Sequence, residues 1–599
     1  MDKNTITGFV LIALVLIGFN WISRPSQEEL AEMARQDSIA AVQQQQAETQ
    51  AKAIKEKNEL QNNTLSADST SLFFAQRASQ GEDIILKNNR VELTLSTLGG
   101  MVQRAEILGY KSRRRDGNVQ ILTPEDAHMT LSLAGKSDNI ITDDYCFTPT
   151  AQTDSYMLDM DVKVEGLAGF FAPKTKTLTV NWTDHLVQQE KGYDFENRYS
   201  CLTYKRKGEG TKHLKETSED TKKPEEALDW VAFKNQFFSV VLIAQQDFTG
   251  AELKSTPDED KKNGYLKTYE AEAETFFDPT GKEATHLQMY IGPNKFHTLQ
   301  DHNKLSSAKE DLELEDLVNL GWPILKWINR WFILNLFDWL TSFGLPMGIV
   351  LLLLTVIVKA LVYPTTRKSY ISSAKMRVLK PQIDALSAKY PNPDDAMKKQ
   401  QEMMQIYSQY GVSPMGGCLP MLIQMPIWVA LFNFVPNAIE LRGESFLWAD
   451  DLSAYDDVLR WSKDLWLIGD HLSIFCLLFC LTNIVNTWIS MRQQKDQMSG
   501  EQAQQMKTMQ YMMLIMPVVF FFMFNNYSSG LCYYYFLSGL TSVLIMWYLR
   551  KTTDDAKLLA KLEAYKQQHK NDPKKTSGMA ARLEALQKMQ EEQARRAKK

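Results

Sequence analysis

Residues 345–363 read LPMGIVLLLLTVIVKALVY, nineteen positions with a single charge, Lys359, toward the far end. A helix rises 1.5 Å per residue, so this stretch is long enough to cross a hydrocarbon layer of roughly 30 Å. Four more apolar blocks follow, at 419–435, 472–489, 511–524 and 531–549. A buried helix of a water-soluble domain would explain any one of them. Five within about 205 residues point instead to an α-helical bundle in lipid. The block at 511–524 gives only about 21 Å of helix. It either recruits Met509 and Gln510, making the span 509–524, or sits where the bilayer is thin.

A sixth block lies at 6–22, ITGFVLIALVLIGFNWI, with no charge. A removed secretory signal is the competing reading, because Lys3 precedes it. SRPSQEELAEM follows with no small-residue cleavage site, so an uncleaved signal anchor over 1–23 is expected. One stretch is ambiguous: 322–340, WPILKWINRWFILNLFDWL. Its polar residues Lys326, Asn329 and Arg330 are spaced to share one helical face, and it carries four Trp. As a span it would put Arg330 near mid-bilayer, at a cost of roughly 3 kcal/mol. An amphipathic helix lying in the interface is expected, within a linker segment 301–344.

The whole chain has 599 residues, 67 Lys+Arg against 72 Asp+Glu, and a net charge of −5. That balance excludes a globally basic nucleic-acid binder. Six Cys, with no CxxC and no zinc-like Cys/His spacing, exclude a disulfide scaffold.

Local charge sets the orientation. The loop 365–417 carries eight Lys/Arg and the tail from Arg550 fourteen, whereas 436–466 carries three. The first two are expected in the cytoplasm and the third outside. With six spans both chain ends are cytoplasmic, and the region between the first two spans lies outside.

Residues 24–80 are rich in Gln, Ala and Glu and read as a polar linker. Residues 81–300 read as an all-β sandwich domain. Period-two segments such as Val91-Glu92-Leu93-Thr94-Leu95 and Lys176-Thr177-Leu178-Thr179-Val180 alternate with turn residues such as Leu98-Gly99-Gly100. The charged insert 205–226 is expected as an exposed loop. Cys146 and Cys201 both fall in this domain, and whether they pair stays open. The loop 365–417 reads as a helical hairpin broken at Pro391-Asn392-Pro393. The tail 551–599 is basic, suited to solvent or to an anionic partner.

No GxSxG, HExxH or P-loop is present, so no enzyme, metal or cofactor is expected from motifs. Lys359 is the one ionisable candidate within the second span. Two readings stay open: it snorkels to the interface four residues before Tyr363, or it faces a wet cavity in the bundle. Thr355 shares its face. Gln424, Asn433, Thr482, Asn483, Asn486, Ser538 and Thr541 offer polar groups on other spans. Each alone reads as helix–helix glue; together they could line one hydrophilic groove open to the cytoplasm.

Several strings carry a family resemblance: VIVKALVYPTT, AKMRVLKPQI, SPMGGCLPMLIQMPIW, ELRGESFLWADDLSAYD and MPVVFFFMFNNYSSGLCYYYFLSGL. The chain resembles the YidC/Oxa/Alb membrane protein insertases, in their long Gram-negative form. The resemblance implies six spans, with an insertase core at 345–550 and a periplasmic β-sandwich related in fold to sugar mutarotases. It implies insertion and folding of nascent inner-membrane proteins, alone or with the Sec translocon, through a cationic groove open to cytoplasm and lipid bilayer. The groove cation maps onto Lys359, where the family usually has Arg; Lys keeps the charge and loses the bidentate fork. Thr355, Gln424, Asn483 and Asn486 would line the groove, and Met425, Trp428, Tyr534 and Tyr535 would contact substrate. The hairpin and basic tail suit a ribosome. The rival readings are a transporter or channel using Lys359 as counter-charge, disfavoured by the lack of an inverted repeat, and an envelope-sugar enzyme in the β-domain.

Overall fold

The structure, a computed structural model, describes residues 81–113, 117–135, 139–144, 155–165, 170–171, 174–305, 311–390, 396–412, 419–465, 468–495 and 501–569. The expected signal anchor, the linker 24–80, Cys146, the hairpin break at 391–393 and the tail from 570 lie outside those residues. The chain divides into two units between Leu317 and Val318.

Alternation builds the first unit. Strand β1 (Asp83–Lys87) pairs with β2 (Val91–Ser96), where Val91, Leu93 and Leu95 are buried and Glu92 and Thr94 only partly so. Strands β3 (Val102–Lys111) and β4 (Asn118–Leu122) complete an antiparallel four-stranded sheet. The second sheet has eleven strands among the described residues. They are β5 (Ala127–Ala134), β6 (Asn139–Ile141), β7 (Met157–Val162), β8 (Thr177–Val187), β9 (Leu202–Arg206), β10 (Thr211–His213), β11 (Asp220–Lys222), β12 (Leu228–Lys234), β13 (Phe238–Pro257), β14 (Tyr265–Phe276) and β15 (Thr285–Pro293). Among the described residues two α-helices accompany them, α1 (Tyr193–Tyr199) and α2 (Phe296–Leu305).

One apolar core joins the two sheets, from Val91, Leu93 and Ala105 on one side to Val180, Trp182, Phe233 and Leu242 on the other. Trp182 stacks on Phe233 with centroids 3.6 Å apart. Each such buried side chain contributes about 1.5–3 kcal/mol, and the all-β sandwich follows.

Part of the expected 205–226 loop is strand. Thr211–His213 pairs with Thr203–Lys205, and Asp220–Lys222 pairs with Leu253–Ser255. Both are three-residue strands made of polar and charged residues, so the apolar alternation that marks a strand is missing. Cys201, just before β9, is a buried free thiol.

The second unit is helical. The amphipathic stretch forms α3 (Pro323–Ile328), a π-helical turn (Asn329–Ile333) and α4 (Leu334–Thr341). Then come α5 (Met347–Val378), α6 (Lys380–Lys389), α7 (Ala396–Gln409), α8 (Leu419–Phe434), the strand pair β16 (Leu459–Leu465) and β17 (Gly469–Leu472), α9 (Ile474–Lys495), α10 (Glu501–Phe524), α11 (Ser529–Thr552) and α12 (Asp555–Gln568). Among the described residues three helices are long and apolar enough to cross a membrane, Met347–Val378, Ile474–Arg492 and Ser529–Thr552, and Met512–Phe524 is a shorter apolar helix. Helix α11 packs on both α5 and α9.

Helix α5 does not stop near Tyr363. It runs through Pro364 to Val378. The break comes at Pro381, which opens α6 and has no N–H to continue the ladder. The first part of the tail is folded as well. Leu562 of α12 joins Met376, Leu379, Ile383, Tyr407 and Tyr410 in one cluster, and Arg377 Nη2 donates to Asp555 Oδ1 at 2.7 Å.

Candidate functional site

Lys359 sits on the face of α5 that packs inward. Its side chain belongs to a residue only 8% exposed, and Nζ donates to Ser542 Oγ on α11 at 2.9 Å. Ser542 passes its own proton to the Ser538 carbonyl at 2.9 Å, which leaves its lone pairs toward the ammonium. Thr355 is one turn earlier on the same face and buried. Its hydroxyl donates to the Leu351 carbonyl of its own helix.

The other polar candidates are distributed around α11. Asn486 on α9 donates from Nδ2 to the Gly539 carbonyl at 3.1 Å. Gly539 permits this approach, since a Cβ there would stand 3.0 Å from Thr482 Oγ1. Asn483 is half-buried on α9, and Gln424 is half-buried on α8. The structure therefore brings Lys359 and Asn486 onto one helix, α11, through Ser542 and Gly539.

The aromatic candidates form a second group. Trp428 on α8 stacks against Tyr535 on α11, centroids 4.9 Å apart. Tyr535 is backed by Phe479 of α9 at 5.4 Å. Tyr534 and Tyr535 are buried, Trp428 is half-buried, and Met425 is 57% exposed. Of the four, Met425 and Trp428 present the accessible edge, and Tyr535 fixes the indole from behind.

The amphipathic stretch departs from its expected polar stripe. Asn329 is buried, and its Nδ2 donates to the carbonyls of Leu320 and of Ala430 on α8, both at 2.9 Å. The π-helical turn adds a residue to the helical repeat and swings Asn329 inward while Lys326 and Arg330 stay half-buried. Trp322, Trp327, Trp331 and Trp339 are all exposed, Trp322 at 82%. Trp is enriched where proteins meet a membrane–water interface.

The loop between α8 and α9 is locked by buried carboxylates. Ser473 caps α9, its Oγ accepting from Cys476 N at 3.1 Å. Asp456 Oδ2 takes the next two free amides, Ile474 N at 2.7 Å and Phe475 N at 3.2 Å, as well as Trp448 Nε1 at 3.0 Å. Asp451 Oδ1 accepts from Gly443 N and Ser453 N. Phe446 presses onto the start of α5 at Gly348, where a Cβ would stand 2.1 Å from its ring.

Sequence reasoning missed Ser542 and Asp456, and it placed Asn329 on the polar face rather than inside. Ser542 had a usable signal, since it lies one turn after Ser538 on the same face. Asn329 had none, because the π-helical turn shifts the register that periodicity assumes.

A lipid-embedded helical bundle with an interior cation, preceded by a large β-sandwich, defines a polytopic membrane protein with an extramembrane β-domain. Residues 339–556 match the family described as 60Kd inner membrane protein, and residues 130–334 match the YidC periplasmic domain. The membrane protein insertase YidC of Phocaeicola vulgatus is 52% identical, covering 99% of this chain and 98% of its own. The protein of that name from Bacteroides fragilis (strain ATCC 25285) is 48% identical, covering 99% and 98%. That from Parabacteroides distasonis is 41% identical, covering 100% and 99%. The chain belongs to the YidC family of membrane protein insertases. It is an inner-membrane insertase with an all-β periplasmic domain.

Proposed function

We propose that this insertase moves polar segments of nascent membrane proteins through a hydrophilic, cationic recess among α5, α8, α9 and α11. Lys359 supplies the charge. Thr355, Gln424, Asn483 and Asn486 supply polar lining, and Met425, Trp428, Tyr534 and Tyr535 form the face that an arriving apolar segment meets. The observation that carries this reading is the Lys359 ammonium, buried and bonded to a neutral hydroxyl. A charge held inside a lipid-embedded bundle is costly, and attraction of an acidic substrate tail gives that cost a use.

The physics is a shortened dry path. Peptide groups and charges lose water in hydrocarbon, so a wet cationic recess part-way across lowers the barrier for a short tail. The apolar segment behind it then partitions into lipid at about 25 cal/mol per Å². The recess opens to the cytoplasm and to lipid. The chain crosses the membrane six times with both ends in the cytoplasm, as the Lys/Arg distribution favours. The hairpin of α6 and α7, with α12 packed on it, offers a basic surface for the ribosome, and the bundle works alone or beside the Sec translocon.

Reconstitution tests this. The purified protein in liposomes is given a single-span substrate with an acidic tail, and protease protection of that tail is measured. Protection without Sec that is lost in Lys359→Ala and kept in Lys359→Arg supports the recess. Full protection in Lys359→Ala, or solute flux without protection, overturns it.

A further inference from the structure

Residues 446–449, in the loop between α8 and α9, form a hairpin with two turn residues. Phe446 N donates to the Ala449 carbonyl at 2.9 Å, and Ala449 N to the Phe446 carbonyl at 3.0 Å. Leu447 is the first turn residue and has φ 54°. A two-residue turn with positive φ at its first position and not at its second takes glycine there, because a Cβ crowds the backbone. Asp247, Glu313 and Leu447 are the non-glycine residues with positive φ among the described residues, and Leu447 is the one apolar member. Its side chain is also 69% exposed. In water a leucine there is unfavourable twice over, in its backbone and in its apolar surface. Glu444, Ser445 and Asp450 beside the hairpin are exposed and polar, so its tip is apolar and its shoulders are not.

The hairpin has a fixed place in the bundle. On one side of Leu447, the Phe446 ring presses on Gly348, and its centroid is 5.2 Å from that of Tyr533. On the other side, Trp448 packs on Phe475 at 4.5 Å and donates from Nε1 to Asp456 Oδ2. Gly348, Phe475 and Tyr533 lie in the first two turns of α5, α9 and α11, the helices that are long and apolar enough to cross a membrane among the described residues. Leu447 is therefore held at the level where those helices begin. Phe343, just before α5, is exposed and apolar too, as are Val458 and Leu459 where β16 begins.

We propose that Leu447 is a lipid wedge. It enters the acyl chains of the leaflet at this end of the bundle and sets how deep α5, α9 and α11 sit. The contact continues the lipid-facing surface of the three helices. A single projecting side chain offers no groove to a polypeptide, whereas acyl chains close around it without one. Gly348 precedes Lys359 by eleven residues, about 16 Å of helix. A hydrocarbon boundary at the wedge puts the ammonium near the middle of a layer of roughly 30 Å. The wedge stands on the hairpin and does not depend on the recess around Lys359.

Two measurements on the full chain in nanodiscs of phosphatidylethanolamine and phosphatidylglycerol test it. In the first, Leu447→Cys and Asp450→Cys are alkylated with a charged, water-soluble maleimide, and each site is read by peptide mass spectrometry against the unfolded chain. The thiolate is the reacting form and is disfavoured among acyl chains, so Leu447→Cys is expected to react at least about tenfold more slowly than Asp450→Cys. In the second, a benzophenone amino acid is placed at position 447 and irradiated, and the expected product is an adduct with a lipid acyl chain. Equal alkylation at the two sites means that position 447 faces water and overturns the wedge. Slow alkylation with a cross-link to polypeptide, whether the β-domain or an added single-span client, also overturns it, because the tip is then a protein-docking site. Slow alkylation with a lipid adduct supports it.

Discussion

Lys359 and Ser542 stand 183 residues apart in the chain and meet at 2.9 Å across the α5–α11 interface. A lysine with a hydroxyl as its partner is a poor stabiliser of a bundle, because the hydroxyl offsets little of what the ammonium loses on leaving water. Its presence there is therefore an argument for use rather than for stability.

That argument makes Lys359→Met a divergent substitution. Stability should rise by about 1–4 kcal/mol, as when buried charges give way to apolar side chains of similar volume. Insertion of an acidic-tailed substrate should fall. Thermal unfolding in detergent and the liposome assay, run on the same preparation, check the two halves. A variant that loses both would make Lys359 a structural residue.

Ser542→Ala should behave differently. It keeps the charge and removes its acceptor, at a cost of roughly 1–3 kcal/mol. Insertion should persist when the loss is corrected for unfolded protein. Equal insertion defects in Ser542→Ala and Lys359→Ala would show that the hydroxyl, rather than the charge alone, meets substrate.

The β-domain carries its own titration. Asp184 on β8 is buried, and burial, reinforced by the charge of Asp126, pushes its carboxyl up to about 8. In the unfolded chain an Asp titrates near about 3.9. Its folded-state pKa is raised, so its contribution is fully present below about pH 4 and is lost as pH rises through about 8. Asp184→Asn should remove that slope, leaving the variant more resistant than wild type at alkaline pH. Hydrogen exchange of the β8 amides in the intact protein measures the difference. Parallel pH profiles for the two proteins would contradict the assignment.

Asn329→Leu should loosen the amphipathic segment from α8. The carbonyls of Leu320 and Ala430 both lose a donor, at a combined cost of about 2 kcal/mol. Limited proteolysis between Val318 and Trp322 should accelerate. An unchanged digestion rate would mean that the exposed indoles hold the segment without the asparagine.

The sequence by itself marked the long apolar segments and most of the segments that form strands. Hydropathy and alternation belong to a residue and its near neighbours, so α5, α9, α11 and strands such as β2 and β8 are legible one segment at a time. Lys359 was legible for the same reason, as a charge where charges are rare. Tertiary structure decided everything that needed two distant segments. It chose Ser542 as the acceptor, turned Asn329 inward through a π-helical turn, and made strands of Thr211–His213 and Asp220–Lys222 by offering them neighbouring strands to pair with. It also brought the Asn525 carbonyl to Nε2 of His471 at 3.1 Å. A hydrogen bond across the fold depends on where two backbones come to rest, and no pattern along one stretch of chain records that.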